Sequence, residues 1–242
     1  MKVALAQIAP VLGDIEANIR LHVQSINLAM ENLADLVVFP ELSLTGYACS
    51  FQAGISKAEL ASALEKFQQL SNEGKIAIAI GMPSRTSAGW RISMTLLQPG
   101  KKASTYSKNH LHDDEKTFFI EGDKQIIFDL AGYKFAPAIC YESLLFAHAK
   151  RAVELGAQFY LCSVAKPQED MERAFNHYSK IAVLFSVPVL MVNSVAQCDS
   201  FQSCGMSAVW DKNGDLLDKI PQNKPGILTF DTKTNAANLI EF

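Results

Sequence analysis

Three side chains that suit acyl transfer stand at points where predicted strands end. They are Glu41, Lys108 and Cys140. In acyl transfer a thiol attacks a carbonyl carbon, a carboxylate takes the thiol proton, and a cation stabilises the developing oxyanion. The chain therefore contains the side chains that cysteine-dependent acyl transfer requires.

Cys140 lies where an apolar run breaks into polar residues before a helical pattern begins. This position predicts an exposed nucleophile whose thiolate is favoured by the positive end of the helix dipole. A free cysteine has a pKa near 8.5 and is only a few per cent thiolate at pH 7, so it needs a base, which Glu41 would supply. Lys108 would offset the negative charge. The alternative for Cys140 is a small buried hydrophobic residue, and for Glu41 a solvated loop residue.

Hydrophobic periodicity predicts the elements that position these side chains. Four helical patterns are predicted: one after Asp14, one after a capping box of Ser56 and Glu59, and two over residues 144–155 and 170–185. Asn213-Gly214 predicts a hairpin turn. Short strands are predicted at 2–7, 36–39, 76–80, 92–97, 103–106, 126–129, 134–139, 158–163, 189–195, 207–210, 215–217 and 227–231. Pro137 conflicts with a central strand, because proline cannot donate a ladder hydrogen bond, so that strand is expected at an edge or bulged.

Four helices cannot cover both faces of so many strands, and this favours two sheets packed on each other with helices outside. No repeat or long linker divides the 242 residues. We expect one domain over 1–242, with a core at about 2–231 and a C-terminal tail at about 232–242.

Composition excludes several classes of function. The chain is 49% hydrophobic and 19% charged, with a formal net charge of −3, which argues against disorder and against binding to nucleic acid or an anionic membrane. No signal-peptide core or membrane-spanning run is present. Five scattered cysteines indicate free thiols rather than a disulfide framework or a zinc site. We expect a cytoplasmic protein.

Three separated motifs resemble the carbon-nitrogen hydrolase (nitrilase) superfamily. They occupy residues 39–47 (FPELSLTGY), 106–123 and 139–142 (ICYE), in the family's order. The resemblance extends from residue 2 to about residue 231, with later similarities at 192–193 and 205–207.

The resemblance implies an α/β fold, a four-layer αββα sandwich that pairs into a homodimer or higher even oligomer. It implies no metal and no organic cofactor. The implied activity is hydrolysis of a non-peptide C–N bond in a small amide, through a thioester acyl-enzyme.

The resemblance also implies roles for individual residues. Glu41 would be the general base, Lys108 the cation beside the oxyanion and Cys140 the nucleophile. Glu115 and Glu142 match supporting glutamates, and Glu115 ranks above Glu142 for a direct role.

Further positions are expected to bind the substrate or the oxyanion. The Tyr141 backbone N–H is the natural second oxyanion donor. Tyr47, Lys166 and His177 are expected to bind the substrate, and Lys166 suggests an anionic one. Cys49, near Glu41 in sequence, is expected to border the pocket.

Other functions remain open from the sequence. They are a nitrilase or carbamoylase, an ammonia-releasing glutaminase subunit of a synthetase, and a non-catalytic scaffold. An intact Glu41, Lys108 and Cys140 argues against the scaffold. The loop 110–115 contains two histidines and three acids, but it lacks the spacing of a zinc-hydrolase motif.

Overall fold

The computed structural model describes residues 1–48 and 54–240 of the chain. Cys49 lies outside these residues. The described chain contains four α-helices: α1 (Ile15–Glu31), α2 (Lys57–Gly74), α3 (Phe146–Glu154) and α4 (Met171–Phe185). The Asp14 carboxylate caps α1, and Ser56 with Glu59 forms the capping box at the start of α2.

The first sheet has seven strands: β1 (Lys2–Gln7), β2 (Leu36–Val38), β3 (Ala77–Arg85), β4 (Trp90–Leu97), β5 (Ser104–Ser107), β12 (Gly226–Asp231) and β13 (Ala236–Ile240). Their spatial order is β13-β12-β1-β2-β3-β4-β5. The central strands β1, β2 and β3 are parallel, and the pairs at either side are antiparallel.

The second sheet has six strands: β6 (Phe128–Leu130), β7 (Tyr133–Ile139), β8 (Phe159–Val164), β9 (Val189–Asn193), β10 (Ala208–Trp210) and β11 (Leu216–Lys219). Their spatial order is β11-β10-β9-β8-β7-β6, with β7, β8 and β9 parallel. The hairpin of β10 and β11 spans the predicted Asn213-Gly214 turn.

Three apolar clusters define four layers. The central cluster combines side chains of both sheets, among them Leu5 and Leu161. A second cluster joins the outer face of the first sheet to α1 and α2, and a third joins the second sheet to α3 and α4. The predicted single-domain αββα sandwich is confirmed.

Pro137 lies within β7, paired with Leu161 of β8. The β6 strand pairs with β7 only as far as Phe135, so the later part of β7 is a local edge. The N–H of Ile139, two residues on, points away from β8 to the Glu142 carboxylate at 2.8 Å. A backbone N–H at position 137 would face the same unpaired side, where the sheet needs no donor. Proline is therefore tolerated there.

Two predicted boundaries differ from the structure. The tail expected after residue 231 contains β13, which pairs with β12 along five residues. The helix predicted from residue 144 begins only at Phe146, because Leu144 ends a 3-10 helix (Cys140–Leu144) and Leu145 is extended. No helix in the described ranges combines the length and hydrophobicity needed to cross a bilayer.

Candidate active site

Glu41 lies in a tight loop directly after β2. The loop is bonded to β3, where the Leu44 N–H donates to the Gly81 carbonyl at 3.0 Å. A Cβ at Gly81 would collide with the Pro40 carbonyl, so glycine is needed for this close approach. The packing buries Glu41, which is 2% exposed.

Lys108 follows β5 and bridges two carboxylates. Its Nζ donates to Glu41 Oε1 at 2.8 Å and to Glu115 Oε1 at 2.7 Å, and all three side chains are buried. Burial opposes the charge on Lys108 and is the largest influence on its pKa. The two carboxylates together outweigh burial and raise this pKa above its ordinary value. Lys108 is therefore a fixed cation, and two of its three N–H groups are used.

Glu115 holds this lysine in place. Its Oε1 also accepts a hydrogen bond from the Tyr47 hydroxyl at 3.0 Å, and its Oε2 accepts from the His112 N–H at 2.8 Å. Both oxygens are therefore occupied, and we infer that Glu115 orients Lys108.

Glu41 has one free acceptor. Its Oε2 is buried and has no hydrogen-bond partner among the described residues. Burial raises the pKa of Glu41, and the charge of Lys108 opposes that rise. A carboxylate with a raised pKa is a better acceptor for a thiol proton.

Cys140 lies at the sharp turn between β7 and the 3-10 helix. Its φ is 45°, a conformation that non-glycine residues rarely adopt, and such strained residues are frequent at functional sites. Ser143 Oγ donates to the Cys140 carbonyl at 2.5 Å, and the thiol is directed at the Ala165 carbonyl at 3.7 Å. The N–H of Tyr141 lies in the first turn of this helix, where backbone N–H groups have no acceptor within the helix itself.

The buried Glu142 carboxylate stabilises this turn through hydrogen bonds from neighbouring segments. Its Oε1 accepts from the Tyr106 hydroxyl at 2.6 Å and the Ile139 N–H at 2.8 Å, and its Oε2 from the N–H groups of Asn109 at 2.7 Å and His110 at 3.2 Å. Burial raises the pKa of Glu142 to about 7, although the hydrogen bonds from Tyr106, Ile139 and Asn109 oppose this rise. The Glu142 carboxylate therefore connects the loop after β5 to the turn at Cys140 by hydrogen bonds.

The prediction that this turn favours the thiolate form of Cys140 is wrong for the free protein. Burial, reinforced by the Glu41 charge, raises the pKa of the thiol to about 11, although Lys166 and Lys108 oppose this. The five-residue 3-10 helix supplies too small a dipole to offset burial. Cys140 is therefore a neutral thiol at pH 7, and a nucleophilic role would require a base.

The raised pKa predicts the pH dependence of alkylation. We expect the rate constant for reaction of Cys140 with iodoacetamide to rise about tenfold per pH unit, because only the thiolate reacts. The rate should level off only near the thiol pKa of about 11. Mass spectrometry of the Cys140 peptide measures the reaction, and Cys140→Ala reports the other thiols. A plateau below pH 8 would contradict the assignment.

A cavity of about 330 Å³ opens onto Cys140. Glu115, Tyr141 and Phe201 line it with Cys140. A larger cavity of about 540 Å³ lies beside the N-terminal ends of α1 and α2, but no cysteine, histidine or lysine of residues 1–48 and 54–240 lines it. The chemistry therefore belongs to the smaller cavity.

The expected substrate residues are divided between two cavities. Tyr47 and Lys166 line the Cys140 cavity. His177 lies in a neighbouring cavity, where its ring is 4.3 Å from that of Phe146. Arg173 lines both cavities. The structure thus brings Tyr47 and Lys166 to the Cys140 cavity and His177 to a neighbouring cavity.

The histidine-rich loop is an exposed segment. His112 Nδ1 lies 2.6 Å from Asp114, and Lys116 pairs with Asp113 at 2.6 Å. Within residues 1–48 and 54–240, no three histidine, cysteine or acidic side chains converge as metal ligands do. The buried acid of the loop is Glu115, which binds Lys108.

Comparison with known sequences gives matches along almost the whole chain. The profile of the carbon-nitrogen hydrolase family matches residues 2–239. The glutamine-dependent NAD(+) synthetase of Acinetobacter baylyi is 28% identical over 231 residues, which are 92% of this chain and 42% of the synthetase. A probable nitrilase of Schizosaccharomyces pombe is 22% identical over 238 residues, covering 94% of this chain and 87% of the nitrilase. The chain spans about two fifths of the synthetase.

Solved structures show the same fold. A mutant amidase from Nesterenkonia sp. AN1, with acrylamide added at its active-site cysteine, superimposes with a TM-score of 0.90 at 22% identity, covering 97% of this chain and 94% of the amidase. Another mutant of that amidase, in complex with butyramide, gives a TM-score of 0.90, covering 97% of this chain and 92% of the amidase. The family profile, which matches residues 2–239, confirms the resemblance drawn from the three motifs: the chain belongs to the carbon-nitrogen hydrolase family.

Proposed function

We propose that the protein hydrolyses the C–N bond of a small amide, with Cys140 as nucleophile and Glu41 as general base. The observation that carries this proposal is the position of the Cys140 thiol in a small cavity beside the buried Glu41, Lys108 and Glu115 group. The Nesterenkonia amidase supports the substrate class, since its solved complexes contain acrylamide and butyramide.

The first half-reaction forms a thioester. The Cys140 thiol passes its proton to Glu41 while the sulfur bonds to the amide carbon and the carbonyl electrons move to oxygen. The third N–H of Lys108 and the N–H of Tyr141 stabilise this oxyanion. When the oxyanion collapses, the C–N bond breaks and the leaving nitrogen takes the proton from Glu41.

The second half-reaction releases the acid. Glu41 takes a proton from water as the hydroxyl oxygen bonds to the thioester carbon. The C–S bond then breaks, the proton returns to the Cys140 sulfur, and a carboxylic acid leaves. Glu41 ends each half-reaction unprotonated, so one carboxylate serves both.

A second candidate is a glutaminase that supplies ammonia to a synthetase. It is favoured by the similarity to the Acinetobacter enzyme, of which this chain matches 42%. In that case glutamine would be the amide and ammonia the useful product. The dimer and the cytoplasmic location stay predictions.

The test is ammonia release from a panel of small amides, ω-amides, glutamine, carbamoyl compounds and nitriles. We expect turnover of at least one small amide, absent in Cys140→Ala. Turnover of nitriles alone would assign a nitrilase, and glutamine turnover that requires a synthetase would assign the second candidate. No turnover, together with a Cys140 that iodoacetamide fails to alkylate at pH 10, would overturn hydrolysis.

A further inference from the structure

Lys166 is a largely buried cation whose ammonium has no partner among the described residues. It follows β8, is 4% exposed, and lines the Cys140 cavity. Its ammonium forms no ion pair and no hydrogen bond with any residue that the structure describes. An ammonium in a largely buried setting needs an anion or another acceptor, and among the described parts of the molecule the cavity is where one can reach it.

The backbone of Lys166 is held rigidly. Its N–H donates to Asn193 Oδ1 at 2.9 Å and to Ser203 Oγ at 3.2 Å. Its carbonyl accepts from Asn193 Nδ2 at 3.1 Å and from the Cys204 N–H at 3.0 Å. A side chain on such a fixed base is pre-organised, which lowers the entropic cost of binding a ligand.

The other buried cation of the site is outnumbered by acids, since Lys108 lies between Glu41 and Glu115 and this group holds one positive and two negative side chains when both carboxylates are ionised. Lys108 binds two carboxylates, so it has little capacity for a third anion. Lys166 also acts electrostatically at the nucleophile, because it lowers the pKa of Cys140 against the dominant effect of burial. Its charge is therefore felt where the amide carbonyl would bind.

The exposed charged side chains at the cavity have a weaker electrostatic effect on a bound ligand than Lys166. Asp114, Glu169, Asp170 and Arg173 line the cavity but face solvent, where salt screens charges over about 8 Å. The buried Lys166 is screened much less. Within the inner cavity, where Glu115 also lies, the Lys166 ammonium is therefore the local point at which an anion is stabilised.

Resting on the amide hydrolysis proposed above, we propose that Lys166 binds a carboxylate of the substrate. The preferred substrates are then monoamides of short dicarboxylic acids, with the amide carbonyl at Cys140 and the distal carboxylate on the Lys166 ammonium. A cavity of about 330 Å³ is at the small end of ligand pockets and suits such a molecule.

The test compares each monoamide with its neutral diamide of nearly the same shape, succinamate with succinamide and glutaramate with glutaramide. A hydrogen-bonded charge pair predicts that kcat/KM favours the better-fitting monoamide by about 10- to 100-fold. Lys166→Met should reduce this ratio to near one, and Lys166→Arg should keep part of it. Lys102→Met, which removes an exposed hairpin lysine, should leave the ratio unchanged.

The ratio separates this role from the others that Lys166 could have. If Lys166 only activates Cys140, Lys166→Met lowers both rates by the same factor and the inference fails. It also fails if the wild type turns over both members of each pair equally. Absence of any Cys140-dependent amide turnover would instead remove the proposed function itself.

A binding measurement covers the case in which Lys166→Met fails to fold. In Cys140→Ala, which cannot turn over, calorimetry should show that succinamate or glutaramate binds about 10- to 100-fold more tightly than its diamide. Equal affinities would overturn the inference.

Discussion

Replacing Cys140 with alanine is expected to lower kcat for the best amide by about 10⁴- to 10⁶-fold, the loss typical of a removed nucleophile. Without sulfur no thioester forms, and Glu41 and Lys108 alone cannot position water as effectively. Ammonia release under saturating substrate measures the effect. Acid-quenched wild type should also show an acyl adduct on the Cys140 peptide by mass spectrometry.

The matched control is Cys204→Ala. Cys204 is a second buried thiol and does not line the Cys140 cavity. Its substitution is expected to change kcat by less than about threefold, since it removes a small group outside the site. Substantial turnover by Cys140→Ala would assign the nucleophile elsewhere.

Replacing Lys108 with methionine is expected to impair both activity and stability. Loss of one oxyanion donor lowers kcat by about 10²- to 10³-fold. The change also leaves Glu41 and Glu115 buried without their cation, and breaking a buried pair costs about 3 to 5 kcal/mol of unfolding free energy. Turnover and chemical denaturation measure the two effects.

The stability loss should depend on pH. Burial already raises the pKa of Glu41, and without Lys108 nothing comparable opposes it. A carboxyl group whose folded pKa exceeds its unfolded pKa binds more protons when folded, so unfolding free energy falls as pH rises between the two values. The deficit of Lys108→Met relative to wild type should therefore be larger at pH 8 than at pH 5.

A triple variant distinguishes the loss of stability caused by unpaired buried charges from the loss of catalytic activity. Lys108→Met with Glu41→Gln and Glu115→Gln removes all three buried charges, so it should regain much of the lost stability while remaining inactive. If the triple variant is no more stable than Lys108→Met, uncompensated burial of the carboxylates is not the cause.

Local signals were sufficient for most of the fold. The Ser56 and Glu59 capping box and the Asn213-Gly214 turn depend on neighbouring residues, and both form as predicted. β13 was not predicted because its burial pattern lacks a regular apolar face, and pairing with β12 defines it. The effect of Pro137 could not be predicted, because it depends on how far β6 extends along β7. In the structure β6 ends its pairing at Phe135 and leaves the later part of β7 unpaired on that side.

The candidate site was predictable as a set of residues but not as a set of contacts. The motifs identified Glu41, Lys108 and Cys140, whereas the four donors to Glu142 come from segments up to 36 residues away. The thiol pKa depends on burial, which one motif cannot report. The sequence identified Lys166 as a possible anion-binding residue because it is a lysine. That its ammonium has no partner among the described residues can be seen only in the structure.

The two sheets contribute different parts of the site. Glu41 and Lys108 follow strands of the first sheet, and Cys140 and Lys166 follow strands of the second. Contacts between residues so distant in sequence require large loops to close, and such contacts form slowly. Neither sheet alone holds a complete site. During refolding, regained turnover therefore reports the docking of the two sheets, while spectroscopic signals of strand and helix can recover earlier.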